Sequence, residues 1–264
     1  MSRSSLVLAL SLLPLLGQCA FGAELKPIRA LLITGGCCHD YADQTQIISE
    51  GVSARANVEW TIVQEHGLKD HHVGVYEKPG WAEGYDVVVH NECFDSVSDV
   101  DFIEHILKPH RNGTPAVVIH CTMHTALALP KTVNIWREFL GVTTDHHDEQ
   151  RPLEVENLAP KNPIMKNFPA VWTTGDEELY IIDSVWPNMT LLARARSRDD
   201  QKQHAVIWTH RYGKGRVFGT TLAHNSETMR QPIYLDMLTR GLLWASDKLD
   251  DRGHPKSGYE PRKR

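Results

Sequence analysis

The chain has no excess of basic residues: 28 Lys and Arg stand against 33 Asp and Glu in 264 residues, a net charge of −5. That balance lacks the electrostatic footprint of a nucleic-acid binder, so no nucleic-acid partner is expected. Long apolar runs are equally scarce. The longest, Leu6 to Leu16, is too short to span a bilayer, and no later segment is better suited. There is no tandem repeat, no low-complexity tract, no HExxH and no CxxC, so neither a zincin helix nor a zinc ribbon is present. No twin-arginine pair occurs. Export as an unfolded chain is therefore expected, which argues against a cofactor inserted in the cytoplasm, such as a nicotinamide dinucleotide.

At the N-terminus, Arg3 precedes the apolar stretch and small residues follow at Ala20, Gly22 and Ala23. This is the order of a secretory signal peptide, with cleavage expected after Gly22 or Ala23. Gln18 stands before Cys19, where a lipid-anchoring motif needs a small residue, so acylation is not expected. Residues 1–23 are read as a leader, 24–246 as one α/β domain, and 247–264, polar and broken by Pro255 and Pro261, as a disordered tail. The mature protein is expected in the periplasm or outside the cell, with no membrane partner once the leader is removed.

Three short apolar runs each end in histidine and cysteine: Leu31-Leu32-Ile33 before Cys37-Cys38-His39-Asp40, Val87-Val88-Val89 before His90-Asn91-Glu92-Cys93, and Val117-Val118-Ile119 before His120-Cys121-Thr122-Met123-His124. Continuous β-branched runs read as strands buried on both faces, which belong to parallel α/β sheets. Ligands of such sheets sit outside the carboxyl ends of the strands, and all three clusters fall there.

Strands are expected at 28–34, 58–63, 86–90 and 116–120, with helices at 43–54, 98–109 (N-capped by Ser98) and 132–140, and a long loop at 64–85. Beyond Gly141 the pattern alternates, with a hairpin turn at Tyr212-Gly213-Lys214-Gly215, a last strand at 216–222 leading to His224, and a closing helix at 231–245. The fold class is α/β, a flavodoxin-like doubly wound, mostly parallel sheet with antiparallel strands added in the second half.

The order of Ile33-Thr34-Gly35-Gly36, His39-Asp40-Tyr41, the strand ending at His120, Glu178-Leu179-Tyr180, Gly215-Arg216-Val217-Phe218 before His224, and Gly241-Leu242-Leu243-Trp244-Ala245 resembles the trehalose-utilisation or ThuA-like family. The resemblance runs from about residue 28 to 246. It implies the fold of class I glutamine amidotransferases and a role in the metabolism of small carbohydrates, and it favours Glu178 and Tyr180 as site-facing. Glutaminases of that fold use a cysteine at a glycine-flanked strand-to-helix elbow, a histidine and a glutamate, which brings Cys121, His224 and Glu227 into comparison. Here Ile119-His120 and Thr122-Met123 flank Cys121, and two residues separate His224 from Glu227 where the glutaminase pattern has one. Glutamine amidotransfer is not expected, and neither is a nucleophilic role for Cys121.

The candidate catalytic residues are His39, Glu92, His120, His224 and Glu178, groups suited to proton transfer near neutrality or to polarising a carbonyl. Asp40, Tyr41, His124 and Tyr180 are the candidates for substrate contact, with Trp81, Trp172 and Tyr180 able to stack on a sugar face. A divalent metal such as zinc is the candidate cofactor, with His39, His120, His124 and His224 as ligands. His90 and His120 taken singly read as hydrogen-bonded core residues, and His146-His147-Asp148 as a lid or plain surface. Among the cysteines, a bridge from Cys37 or Cys38 to Cys93 is weighed against free thiols, with a Cys37–Cys38 bridge the least expected. The function is read as an enzyme acting on a small carbohydrate or keto-sugar. The alternative is a carbohydrate-binding module without turnover, and metal storage ranks last.

Overall fold

The computed structural model describes residues 27–262; the leader and Cys19 lie outside the described residues. Five parallel strands form the first half of a nine-stranded sheet: β2 (Val58–Glu65), β1 (Ile28–Gly36), β3 (Val87–Cys93), β4 (Ala116–Ile119) and β11 (Gly215–Thr220), in that spatial order. The sheet continues antiparallel through β10 (Gln203–Tyr212), β9 (Thr190–Arg196), β6 (Arg151–Asn157) and β7 (Val171–Glu177). A separate two-stranded ribbon pairs β5 (Val142–His147) with β8 (Tyr180–Val185).

The central strands are apolar throughout because both of their faces are covered. Leu31, Ile33, Val88 and Val118 pack with α2 (Val100–Asn112) and α3 (Ile135–Leu140). Ala30, Leu32, Val89 and Val117 pack with α1 (Tyr41–Ser53) and α5 (Pro232–Ala245). Burying one such Leu or Val contributes about 1.5–3 kcal/mol. Gly35 and Gly36 end β1 at φ of 131° and 105°, where a Cβ would sit on the carbonyl oxygen of Glu65 or of Cys93. Only glycine lets all three strands stay paired up to the site edge.

Several expectations change. Asp99, not Ser98, caps α2, its carboxylate accepting from the N–H groups of Asp101 and Phe102 at 3.0 and 3.1 Å. The helix also runs through Pro109, where helices tend to break. The carbonyl that Pro109 leaves without a helical donor, that of His105, accepts the Trp81 indole N–H at 3.4 Å instead. Trp81 thus belongs to the 64–85 segment as a packing residue, buried with Val73, Tyr76 and Ala82 against α2. A short helix that the sequence pattern does not announce, α4 (Ser226–Arg230), follows β11.

The tail is not disordered over its described residues. Leu249 bridges to Pro255, the Asn57 N–H donates to Tyr259 O at 2.9 Å, and Arg262 Nε donates to Asn57 Oδ1 at 2.9 Å. Polar composition misleads because these contacts are made by backbone and a few side chains, and they leave no hydrophobic periodicity.

Candidate active site

Three loops leave the carboxyl edge after β1, β4 and β11, and each delivers one histidine. In each, the backbone takes a left-handed conformation that side chains rarely adopt: Cys38 (φ 82°) just before His39, His120 itself (φ 44°), and Ala223 (φ 78°) just before His224. Such conformations cost on the order of 1–3 kcal/mol each and concentrate at functional sites. The strained position of the β4 turn, where an elbow nucleophile would stand, is held by His120 and not by Cys121.

One ligand-type nitrogen from each of His39, His120 and His224 lies within 4.8 Å of the other two. Glu178, on the turn between β7 and β8, reaches the same place, its Oε2 lying 3.2 Å from His224 Nδ1 and 3.5 Å from His120 Nε2. His147, at the end of β5, brings its Nε2 to 3.5 Å from that same oxygen. Gln150 donates to Glu178 Oε1 at 3.2 Å. His224 Nδ1 and His120 Nε2 are 3.3 Å apart, and the Tyr180 hydroxyl is 3.5 Å from His120 Nε2.

The hydrogen-bond directions carry the chemical meaning. His39 Nδ1 faces His224 O at 3.0 Å, His120 Nδ1 faces Thr221 O at 2.7 Å, and His147 Nδ1 faces Asp148 O at 2.9 Å. A carbonyl only accepts, so each Nδ1 carries a proton and donates it, and each Nε2 of the neutral ring presents a lone pair. Glu178 adds carboxylate lone pairs. Four electron-rich groups, the Nε2 atoms of His39, His120 and His147 and the Glu178 carboxylate, are thereby gathered together, and among the described residues the His224 Nδ1–H, the Gln150 amide and the Tyr180 hydroxyl face them as donors.

Burial, helped by the neighbouring His120 and His224, pulls His39 down to about 3, and burial also lowers His120, so both stay neutral at ordinary pH. At Glu178 burial is outweighed by the neighbouring imidazoles of His120 and His224, the His224 N–H donating to it, and the carboxyl is held well below its usual range. At His224 the Glu178 carboxylate outweighs burial and raises the imidazole. Neutral imidazoles oriented by backbone carbonyls, with an ionised carboxylate beside them, form the donor set and the outer hydrogen-bond pattern of a zinc-type site. The residues fit a divalent cation.

The remaining expected residues are dispersed around this centre or away from it. Glu92 is not part of it: buried, it accepts from the Tyr76 hydroxyl at 2.5 Å and lies 2.9 Å from His90 Nδ1, while His90 Nε2 meets His110 Nε2 at 3.1 Å. Glu92 points this way because it lies on β3 two residues after His90, on the face toward α2. His124 lies flat on Tyr180, ring centroids 4.1 Å apart, and its Nε2 is buried without a partner. Tyr41 packs edge-on to His39, with a buried hydroxyl that also lacks a partner. Asp40 caps α1, accepting from the Asp43 N–H at 3.1 Å. Trp172 is buried against Phe168, and with Trp81 also in the core only Tyr180 of the expected stacking residues reaches the site.

The cysteines pair as Cys93–Cys121 and Cys37–Cys38, not Cys37 or Cys38 with Cys93. β3 and β4 are neighbours, so their ends bring Cys93 and Cys121 together, with Cα atoms 5.2 Å apart. His147 and Gln150 are the site residues that sequence reasoning misses. His147 reads only as lid or surface in the sequence, since no motif places β5 against β8.

The comparisons with known proteins agree with this architecture. A structure of a protein described as ThuA-like from Parabacteroides merdae is similar at a TM-score of 0.69 and 18% identity, over 90% of this chain and 98% of that one. Another, from Bacteroides uniformis, gives 0.63 and 15% over 87% and 95%. A protein described as a GMP synthase subunit from Thermoplasma acidophilum gives 0.53 and 13% over 84% and 97%, which shows the shared amidotransferase-like fold. No curated protein sequence matches significantly. The family model for ThuA, trehalose utilisation, matches residues 29–245, and the chain belongs to that family.

Proposed function

We propose that this chain is an exported ThuA-family enzyme that acts on a small carbohydrate or keto-sugar at the carboxyl edge of its sheet, with a zinc-type divalent cation held by His39, His120, His224 and Glu178. The observation that carries the reading is a convergence of metal-ligand groups: His39 and His120, each fixed by a backbone carbonyl as an Nε2 donor, share one centre with His224 and the Glu178 carboxylate. A cation bound there would polarise a sugar carbonyl or activate a water.

The protein's own groups divide the remaining work. His39 and His120 stay neutral and hold position. His147 is half-exposed at the rim, its Nε2 3.5 Å from Glu178 Oε2, where a substrate can meet it. Tyr41 and His124 offer unpartnered polar atoms beside the centre, suited to sugar hydroxyls, and Tyr180 offers the edge of a stacked ring. Titratable side chains within hydrogen-bond reach of one another favour turnover over a binding module, whose lining would be aromatic and neutral.

Export rests on the N-terminal charge, apolar run and small residues. The test is metal analysis of untagged protein purified from the periplasm, followed by turnover assays on keto- and unmodified disaccharides with and without chelator. About one equivalent of metal and chelator-sensitive turnover are expected. A metal-free protein that does not take up zinc overturns the metal reading, and sugar binding without turnover on any substrate favours the module.

A further inference from the structure

Glu177 lies beside Glu178 at the end of β7, yet its side chain does not enter the site. It is fully buried, and its Oε2 accepts the backbone N–H of His224 at 2.9 Å. Thr228 of α4 and Tyr234 of α5 are buried near the same carboxylate, but among the described residues neither hydroxyl is hydrogen-bonded and Glu177 Oε1 has no partner. Nearby, Asn225 Nδ2 donates to Asp176 O, and the Asn225 side chain caps α4 by accepting the Thr228 N–H at 3.1 Å. The segment so fastened includes Ala223, one of the left-handed positions.

We infer that Glu177 is the positioning residue of His224: the Glu177–Glu178 pair holds one histidine twice, by its backbone through Glu177 and by its ring through Glu178. The inference rests on the metal-site reading for its consequence, but not for its geometry. Successive residues at the end of a strand point to opposite faces, so one dipeptide reaches behind the loop and into the site. Without the rear contact, the His224 N–H would lose its partner, and the left-handed backbone at Ala223 would lose a contact that fixes it. The effect would pass to the site as a displaced ring and not as a lost ligand. Outer-shell partners of metal ligands typically matter by 10–100-fold in affinity.

Cobalt(II) serves as the probe, its visible absorption reporting the ligand geometry, alongside amide hydrogen exchange over residues 221–225 of the metal-free protein. Glu177→Gln keeps an acceptor oxygen, and is expected to retain protection and bind cobalt within about threefold of wild type. Glu177→Ala should lose protection in that segment, bind cobalt about 10–100-fold more weakly and show an altered spectrum. Tyr234→Phe, which disturbs the same buried pocket without touching the contact, should leave the spectrum unchanged.

A folded Glu177→Ala protein with wild-type spectrum and affinity, or with unchanged protection at 221–225, overturns the inference. Should Glu177→Ala not fold, Glu177→Asp decides, since the shortened side chain should show the same losses in smaller measure and wild-type values would refute the contact. If wild-type protein takes up no cobalt, the metal reading fails. The positioning of His224 is then judged by exchange and by the His224 ring proton shifts, expected to change in Glu177→Ala and to persist in Glu177→Gln.

Discussion

At the scale of single residues, the site depends on lone pairs held in place. His120→Asn preserves a hydrogen-bonding side chain but offers neither an imidazole nitrogen nor a group that titrates. We expect it to lose metal binding by at least 100-fold with circular dichroism unchanged, and near-wild-type affinity would remove His120 from the ligand set. His124→Ala is expected to leave metal affinity within a few-fold, because the ring stacks on Tyr180 and does not join the cluster. The same measurement on both variants separates ligand from neighbour. As metal ligands, His120 and His124 are indistinguishable in the sequence, since both follow the same strand. What separates them is the turn that begins at His120, which sends His120 toward Thr221 and leaves His124 against β8. Glu92 is misplaced by the sequence for a similar reason: a strand end has two faces, and pattern alone does not say which one holds the site.

At the scale of elements, the Cys93–Cys121 pair joins the end of β3 to the turn after β4 and closes a segment with a separation of 28 residues. By chain entropy a loop of that size is worth about 3–4 kcal/mol. Replacing both cysteines by Ala should lower the urea midpoint and steepen the slope, because the unfolded chain is no longer held compact. The turn itself should persist, because the Thr122 hydroxyl donates to His90 O at 3.0 Å and the Thr125 hydroxyl to Glu92 O at 3.1 Å. Metal affinity should then fall by less than tenfold, and a complete loss would mean that the bridge alone holds His120.

The parallel strands and α5 are legible because burial on two faces writes continuous apolar runs such as Val87-Val88-Val89, and helix packing repeats Leu235, Leu238 and Leu242 at fixed spacing. The β5–β8 ribbon is not. Its pairing depends on a contact between residues 142–147 and 180–185 that leaves half its side chains exposed and no signature in either segment.

At the scale of the molecule, stability should fall in acid. His110 and His124 are held down to about 3 by burial, whereas in the unfolded chain they take up protons near 6.5. As pH drops below about 6.5 the unfolded state binds protons that the folded state refuses, so each group can remove up to about 1.4 kcal/mol per pH unit until the folded rings titrate near 3. Glu178 acts in the same direction, its contribution being present above the ordinary carboxyl range and lost as pH falls through its lowered value. His224 opposes them, since a raised imidazole contributes below its ordinary value and the contribution is lost as pH rises through the raised one. Urea midpoints at pH 7, 5.5 and 4.5 should decline in order, and a flat series would contradict the burial of these rings.

The bond from His39 to the carbonyl of His224 crosses 185 positions of chain. No fragment that emerges early from a ribosome or a translocation pore contains both partners, so the centre comes into being only when the last parallel strand has docked. A cation that prefers this centre would act as a late clasp on the finished fold, raising its melting temperature with concentration. It would also be drawn from whatever ions surround the chain where folding ends, so the metal content of the protein would record the place of its maturation.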